Sequence, residues 1–252
     1  RTQLYAHFGF LMYLPNLLFR ILTLGVIFLT SCGPEPTYVE KSSETEGGSG
    51  RYYMNREIGD VMGSEHAALW LDRPERNVEE LPTRLMRVLD LNPSAVVADI
   101  GSGTGFFTFR LAELVPHGRV YSVEVQQSLV DTLGARAQRN GFRNVTPVLG
   151  SVSDPALPKN RIDLALIVSS YHEFSFPKEM VSAIKASLKP EGRLVIVEYR
   201  QEDETSPISD GHRMSERQIR YEIESLGFEW RETRDVLPRQ HVMIFSLDQA
   251  EA

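Results

Sequence analysis

Two acidic residues stand at the ends of apolar, β-branched stretches, and the first is followed by a glycine-rich turn. Asp99 precedes Gly101, Gly103 and Gly105, and Glu124 ends the next apolar stretch. Such a turn lets the backbone approach a ligand closely and points helix N-terminal N–H groups at it. A carboxylate at the end of the second strand accepts hydrogen bonds from ribose hydroxyls. The pattern predicts a nucleotide-type site; the alternative is a purely structural tight turn.

The glycine spacing distinguishes between two kinds of nucleotide ligand. Dinucleotide sites use G-x-G-x-x-G or G-x-G-x-x-A, but this turn reads G-x-G-x-G and carries Phe106 at the last small position. Asp-x-Gly-x-Gly-x-Gly resembles motif I of the class I S-adenosylmethionine (SAM)-dependent methyltransferases. The resemblance implies SAM as the cofactor, with the acid and the glycine turn holding its methionine part. The cofactor-binding residues expected in this region are Asp99, Gly101, Ser102, Gly103, Gly105 and Glu124.

Later segments extend the resemblance over Val96–Tyr199. The apolar run Ile162–Ser170 is typical of a strand covered on both faces. It leads into Tyr-His-Glu-Phe, and the stretch LKPEGRLVIVEY follows. Together these resemble motifs IV to VI of the generic bacterial methyltransferase-domain family, similar to the ubiquinone/menaquinone-biosynthesis type. The resemblance implies an α/β fold: a Rossmann-like, seven-stranded, mostly parallel sheet with helices on both faces and an antiparallel last strand.

Two further residues are expected at the cofactor. Related methyltransferases often place an acid after the third strand, where it contacts the adenine amino group. Here Ser151 occupies that position and Asp154 follows three residues later, so Asp154 is the predicted adenine contact. Ser169, at the end of the fourth strand, is included among the cofactor-binding residues.

The methyl acceptor is expected beyond the fourth strand, because ligands of open α/β sheets lie at the carboxyl ends of the strands. Topology predicts that His172, Glu173, His212 and His241 converge there. Three hypotheses account for these residues. One of them acts as a general base or orients the acceptor, or they fix local loops, or two histidines and Glu173 bind a divalent metal. The histidines lack the short spacing of a chelating motif, so no metal is predicted. His172 is the favoured catalytic residue, supported by Glu173 and Tyr171.

The resemblance implies transfer of the SAM methyl group by in-line displacement. The acceptor is expected to be a small or lipid-like molecule, although a protein side chain also fits, and the sequence does not specify which. One alternative is a non-catalytic SAM- or nucleoside-binding module, since a fold does not fix a function. The other is an NAD-dependent oxidoreductase, which Phe106 disfavours.

The composition of the chain argues against nucleic acid as a partner and against a disulfide within the chain. The chain has 252 residues, of which 42% are hydrophobic and 24% charged, as in ordinary globular proteins. Its formal net charge is −7 and its basic residues are scattered, so no nucleic-acid partner is expected. A single cysteine excludes an intrachain disulfide.

That cysteine stands where an export signal would end. Arg20 precedes the apolar run Ile21–Thr30, and Leu-Thr-Ser-Cys32 resembles a bacterial lipobox. Residues 1–32 are therefore predicted to be a signal segment, with Cys32 lipidated and the protein an exported, membrane-anchored lipoprotein. One alternative is that the segment is an uncleaved membrane helix. The other is that it does not act as a signal, in which case the protein is expected in the cytoplasm, where SAM is made. Residues 33–50 are predicted to be a flexible linker, 51–94 a helical lid and 95–252 the methyltransferase domain.

Overall fold

The computed structural model describes residues 37–61 and 69–248. Seven strands form one sheet in the order β6-β5-β4-β7-β8-β10-β9. Their bounds are β4 Val96–Ile100, β5 Arg119–Glu124, β6 Val145–Leu149, β7 Ile162–Val168, β8 Leu188–Tyr199, β9 Phe228–Arg234 and β10 Gln240–Leu247. The strands from β6 to β8 pair in parallel, whereas β10 is antiparallel to both β8 and β9. The predicted fold class is confirmed.

Helices cover this sheet on both faces. They are α1 Arg76–Glu79, α2 Pro82–Val88, α3 Thr108–Leu114, α4 Gln127–Arg139, α5 Pro177–Ser187 and α6 Glu216–Glu224. Two apolar clusters result: one includes Leu85 and Leu111, and the other includes Ile184 and Ile223. The central strand β7 contributes to both clusters, which explains why its sequence is apolar almost throughout. The sheet is thus a rigid support whose strand ends can position side chains.

A second, smaller sheet precedes the large one. It contains β1 Tyr38–Glu40, β2 Gly48–Tyr53 and β3 Arg56–Gly59 in antiparallel order. The carboxylate of Glu57 holds the connection between β1 and β2, accepting hydrogen bonds from the backbone N–H groups of Thr45 (2.9 Å) and Gly50 (2.8 Å). The prediction of a flexible linker is therefore wrong for residues 37–50, and the segment predicted as a helical lid begins with strands.

The predicted signal segment, including Cys32, lies outside the described residues. Among the helices of residues 37–61 and 69–248, none has the length and apolar character needed to cross a bilayer.

Candidate active site

A cavity of about 480 Å³ lies at the carboxyl ends of the central strands. Volumes of a few hundred Å³ are typical of small-molecule sites. Its wall contains both acids of the glycine-turn region and three of the predicted acceptor-end residues. The predicted site residues that line it are Asp99, Gly101, Ser102, Gly103, Glu124, Ser169, His172, Glu173 and His212. Residues of the glycine turn and of the acceptor end, which are distant in sequence, thus line the same cavity.

The glycine turn follows β4 and has the left-handed backbone that glycine tolerates. Gly101 has φ +71°, and a Cβ there would lie 2.5 Å from the Ser170 hydroxyl oxygen. The N–H groups of Gly101 and Ser102 both donate to the Val123 carbonyl at 3.0 Å, which fastens the turn to β5. The turn is therefore held rigidly, and the left-handed backbone and the close approach of Ser170 both favour glycine at position 101.

Glu124 lies at the end of β5 and faces the turn. One carboxylate oxygen accepts a hydrogen bond from the Gly103 N–H at 3.1 Å. The other accepts from the N–H groups of Val125 (2.7 Å) and Gln126 (3.1 Å). These contacts fix the carboxylate at the cavity wall, where it remains 8% exposed. It can accept further hydrogen bonds from a ligand's hydroxyl groups, because each carboxylate oxygen has more than one acceptor site.

Asp99 is more deeply buried than Glu124, with only 2% of its surface exposed. Its Oδ2 accepts a hydrogen bond from the Thr108 hydroxyl at 2.6 Å. Burial raises the pKa of Asp99 to about 6, against the lowering effect of that hydrogen bond. A buried carboxylate is costly to ionise unless a cation pairs with it. Asp99 is therefore suited to meet a positively charged group of a ligand.

This shift predicts that Asp99→Asn stabilises the ligand-free protein at neutral pH. A carboxyl with a raised folded-state pKa contributes stability below its unfolded pKa of about 3.9, and loses it as pH rises through the folded value. The pH window is therefore between about 4 and 6. Thermal unfolding across pH 4 to 8 should show a difference in free energy of unfolding between variant and wild type that grows to about 3 kcal/mol. A difference independent of pH would contradict the prediction.

The remaining predicted cofactor residues differ in placement. Ser169 lines the cavity, and its hydroxyl accepts a hydrogen bond from the Gln240 amide at 3.1 Å. Gly105 does not line the cavity but closes the turn, with φ +93°. Asp154 is also outside the cavity wall: its carboxylate accepts the Ala156 N–H at 2.8 Å in a local turn, and Val152 lines the cavity instead. The structure does not bring Asp154 to the site.

His172 lies in a 3₁₀ turn, Tyr171–Glu173, directly after β7. Its Nδ1 is 2.8 Å from Oε2 of Glu198, and its Nε2 is 3.4 Å from Oε1 of Glu173. Burial lowers the pKa of His172, but Glu198 and Glu173 outweigh it and raise that pKa to about 10. The neighbouring carboxylates thus hold this imidazole in a fixed orientation.

The other two histidines take different positions. His212, in the 3₁₀ turn Asp210–His212, packs its ring edge-on against that of His172, with centroids 5.0 Å apart. His241 lies outside both the cavity wall and this cluster, and its Nε2 is buried without a hydrogen-bond partner. The predicted convergence therefore applies to His172, Glu173 and His212 but does not extend to His241.

Tyr171 points away from the cavity. It is fully buried, and its hydroxyl donates to Oε2 of Glu222 at 2.8 Å. Arg56 binds the same carboxylate with Nε at 2.7 Å and Nη2 at 3.0 Å. The proposed catalytic support role of Tyr171 has no geometric basis, because its polar atom belongs to this buried ion-pair network.

Sequence reasoning missed Glu198, the fully buried partner of His172. Its second oxygen accepts the backbone N–H groups of Tyr171 (2.8 Å) and His172 (3.3 Å). The sequence does contain a signal for it: an acid within the apolar run of β8 is expected to be buried, and a buried charge needs partners.

Arg76, from the segment predicted as a lid, is a second missed residue. It lines the cavity, stacks on Phe106 at 4.1 Å and pairs with Glu80.

Comparison with known proteins relates this chain to the methyltransferases. A family model described as "Methyltransferase domain" matches residues 91–237. The chain is 33% identical over 112 residues to a protein-L-isoaspartate O-methyltransferase of Pyrococcus horikoshii, covering 44% of this chain and 48% of that protein. It is 27% identical over 110 residues to a ubiquinone/menaquinone biosynthesis C-methyltransferase of Wigglesworthia glossinidia brevipalpis, covering 43% and 44%. The chain thus matches about half the length of these curated relatives.

A solved structure agrees with the fold. A SAM-dependent methyltransferase from Aquifex aeolicus superposes with a TM-score of 0.69 at 22% identity, covering 73% of this chain and 98% of that one. The two named relatives act on different acceptors, so they share the reaction type and not the substrate. The family model covers more than half of the chain, and with the glycine turn, the two acids and the sheet order it leads to one conclusion: the chain belongs to the methyltransferase-domain family of the class I fold, whose cofactor is S-adenosylmethionine.

Proposed function

We propose that this protein transfers a methyl group from SAM to a small acceptor by in-line displacement. The observation that carries the proposal is the shared cavity. Asp99, Glu124 and the glycine turn line one part of its wall, and His172, Glu173 and His212 line another. A cofactor held by the first group and an acceptor held by the second would meet in this one cavity, as alignment of two reactants requires.

The residues present fit the cofactor. The Ser102 hydroxyl is buried without a hydrogen-bond partner within the protein, as expected for a group that binds a ligand. Gly103 has φ +54°, a left-handed conformation that glycine adopts without strain, and it brings the backbone to the cavity wall. Two carboxylates, those of Asp99 and Glu124, give the cofactor region a negative charge. That charge complements a cationic ligand.

Each group has a defined role in this proposal. SAM, when bound, supplies a methyl group on a positively charged sulfur. Glu124 holds the ribose hydroxyls, and Asp99 with the glycine turn holds the methionine part. Apolar side chains around the cavity, including Phe106, Val168 and Met180, keep water from the reacting atoms. Glu173 and His212, both only partly buried, are available to orient the acceptor.

A matched pair of glycine variants tests the cofactor site. Gly101 and Gly141 have nearly equal φ, +71° and +74°, but a Cβ at Gly141 has no atom within 4 Å. Both alanine variants carry a similar backbone strain of about 1 kcal/mol or more. We expect Gly101→Ala to weaken SAM binding at least about tenfold by calorimetry, a cost of about 1.4 kcal/mol, and Gly141→Ala to leave it unchanged.

The titration uses the full chain with SAM and S-adenosylhomocysteine. Equal affinity of a folded Gly101→Ala variant and wild type would contradict the assignment of the glycine turn. The two alternative functions give other results. A binding module would bind SAM without releasing S-adenosylhomocysteine with any acceptor tested. An NAD-dependent oxidoreductase would bind NADH, which a fluorescence titration detects.

A further inference from the structure

Three side chains at the acceptor end converge on one point. Oε1 of Glu173 is 3.4 Å from Nε2 of His172 and 3.9 Å from Nδ1 of His212. One potential ligand atom from each residue lies within 4.8 Å of the other two. Nitrogen and oxygen ligands about 2.0–2.2 Å from a shared tetrahedral ion are roughly 3.4 Å apart. The spacing of the three atoms therefore approaches that of a metal-binding set.

Each histidine is oriented by a carboxylate outside this set. His172 directs Nδ1 at Glu198, 2.8 Å away, and His212 directs Nε2 at Oδ1 of Asp60, 3.1 Å away. Because a carboxylate accepts, the ring nitrogen facing it carries the proton. The opposite nitrogen of each ring faces Glu173, and a bound ion would take the place of a proton there. Carboxylate–histidine pairs of this kind fix the ring and tautomer of histidines that bind metals.

The surrounding backbone is built closely around the two rings. A Cβ at Gly47 would lie 2.9 Å from the His212 ring, and one at Gly59 would lie 2.6 Å from the Gly211 carbonyl oxygen and 3.1 Å from the His172 ring. Both glycines come from the N-terminal sheet and the turn before its second strand. This part of the chain therefore packs against the two imidazoles at a distance that favours glycine.

We propose that His172 Nε2, Glu173 and His212 Nδ1 bind a divalent transition-metal ion, preferentially Zn²⁺, that also takes the reacting atom of the methyl acceptor. Two imidazoles and one carboxylate are a ligand set of catalytic zinc sites, which keep a further position open for water or substrate. All three residues line the cavity, so the open position faces the space proposed for the acceptor. This assignment goes against the metal-free expectation from the sequence.

The site specifies an acceptor class, and this inference rests on the proposed function. A hydroxyl or thiol coordinated to the ion loses its proton to solvent more readily than a free one. The resulting oxygen or sulfur lone pair forms the new bond to the methyl carbon. The electron pair of the broken sulfur–methyl bond remains on the sulfur of the cofactor, which leaves as S-adenosylhomocysteine. No atom is oxidised or reduced, so no further reactant is needed.

The test measures binding of the metal alone to the full chain. After treatment with a chelator, the protein is titrated with Zn²⁺ against a chromophoric competitor, and Co²⁺ replaces Zn²⁺ to report coordination by its visible absorption. We expect one equivalent of Zn²⁺. Glu173→Gln and His212→Ala, at partly buried positions, should each weaken it at least about tenfold. His117→Ala, at an exposed histidine far along the sequence from the cluster, should leave it unchanged.

Glu198→Gln is a further test of orientation, because loss of a carboxylate behind a ligand histidine costs about 10- to 100-fold in metal affinity. Less than one equivalent bound, or one equivalent that both Glu173→Gln and His212→Ala retain at full affinity, would overturn the inference. SAM titration on the same preparation separates the two proposals. Failure to bind metal with intact SAM binding overturns this inference alone, whereas failure to bind SAM overturns the proposed function.

Discussion

Glu124→Ala should weaken SAM binding about 100-fold. A hydrogen bond to a charged acceptor contributes about 1.5–3 kcal/mol, and the proposal gives Glu124 two ribose hydroxyls to hold. Two such bonds at the lower value amount to about 3 kcal/mol, or a factor of about 150. The variant also removes the acceptor of the Gly103 N–H, so the turn itself loses a contact. Calorimetric titration with SAM and S-adenosylhomocysteine measures the loss.

Two comparisons make this result specific. Glu124→Gln keeps one carbonyl oxygen and the size of the side chain, so its affinity should fall between those of wild type and Glu124→Ala. Glu113→Ala removes an acid from the exposed face of α3 and should have no effect. Wild-type affinity in a folded Glu124→Ala protein would show that the carboxylate serves only to hold the turn.

Arg56→Ala should lower the free energy of unfolding by about 3–5 kcal/mol, because it leaves a buried carboxylate without its cation. The side chain of Glu222 is fully buried, and that of Arg56 is 10% exposed. Arg56 also donates from Nη1 to the His172 carbonyl at 3.1 Å, so the substitution loosens the acceptor end as well. Equilibrium denaturation in urea measures the effect.

The matched control is Arg231→Ala. Arg231 pairs with Glu229 at 2.8 Å, but the two side chains are 45% and 51% exposed. Exposed pairs contribute less than about 1 kcal/mol. The double variant Arg56→Met, Glu222→Gln removes both charges and keeps an acceptor for the Tyr171 hydroxyl, so it should be more stable than Arg56→Ala. A loss of stability equal to that of Arg231→Ala would show that the buried pair contributes no more than an exposed one.

The sheet was predictable because its signals are local. An apolar run such as Ile162–Val168 indicates a strand buried on both faces, and alternating glycines after Asp99 indicate a turn with left-handed backbone. The mostly parallel direction of the strands and the antiparallel last strand followed from the family resemblance. The N-terminal sheet was missed because residues 37–50 are rich in Gly, Ser and Glu, a composition also typical of linkers. Their strands are held by long-range contacts, such as those of Glu57, which sequence periodicity does not record.

The acceptor end was only partly predictable for a related reason. Topology brings His172 and His212 to the same edge of the sheet, but it does not specify rotamers. Tyr171 adjoins His172 in sequence, yet its side chain enters the core while that of His172 faces the cavity. Glu198 and Asp60, which orient the two histidines, are distant in sequence from them. Pairings of this kind depend on packing, which one sequence without relatives does not reveal.

The small N-terminal sheet has a consequence for how such proteins diversify. Arg56 and Asp60, which contact the acceptor end, precede the matched methyltransferase region that begins at residue 91. The residues proposed to hold SAM lie within it. The acceptor end is therefore assembled from two stretches of the gene, because His172, Glu173 and His212 lie within the matched region. Exchange of the leading stretch between relatives would change the residues that support the acceptor end and leave the proposed SAM-binding residues unchanged.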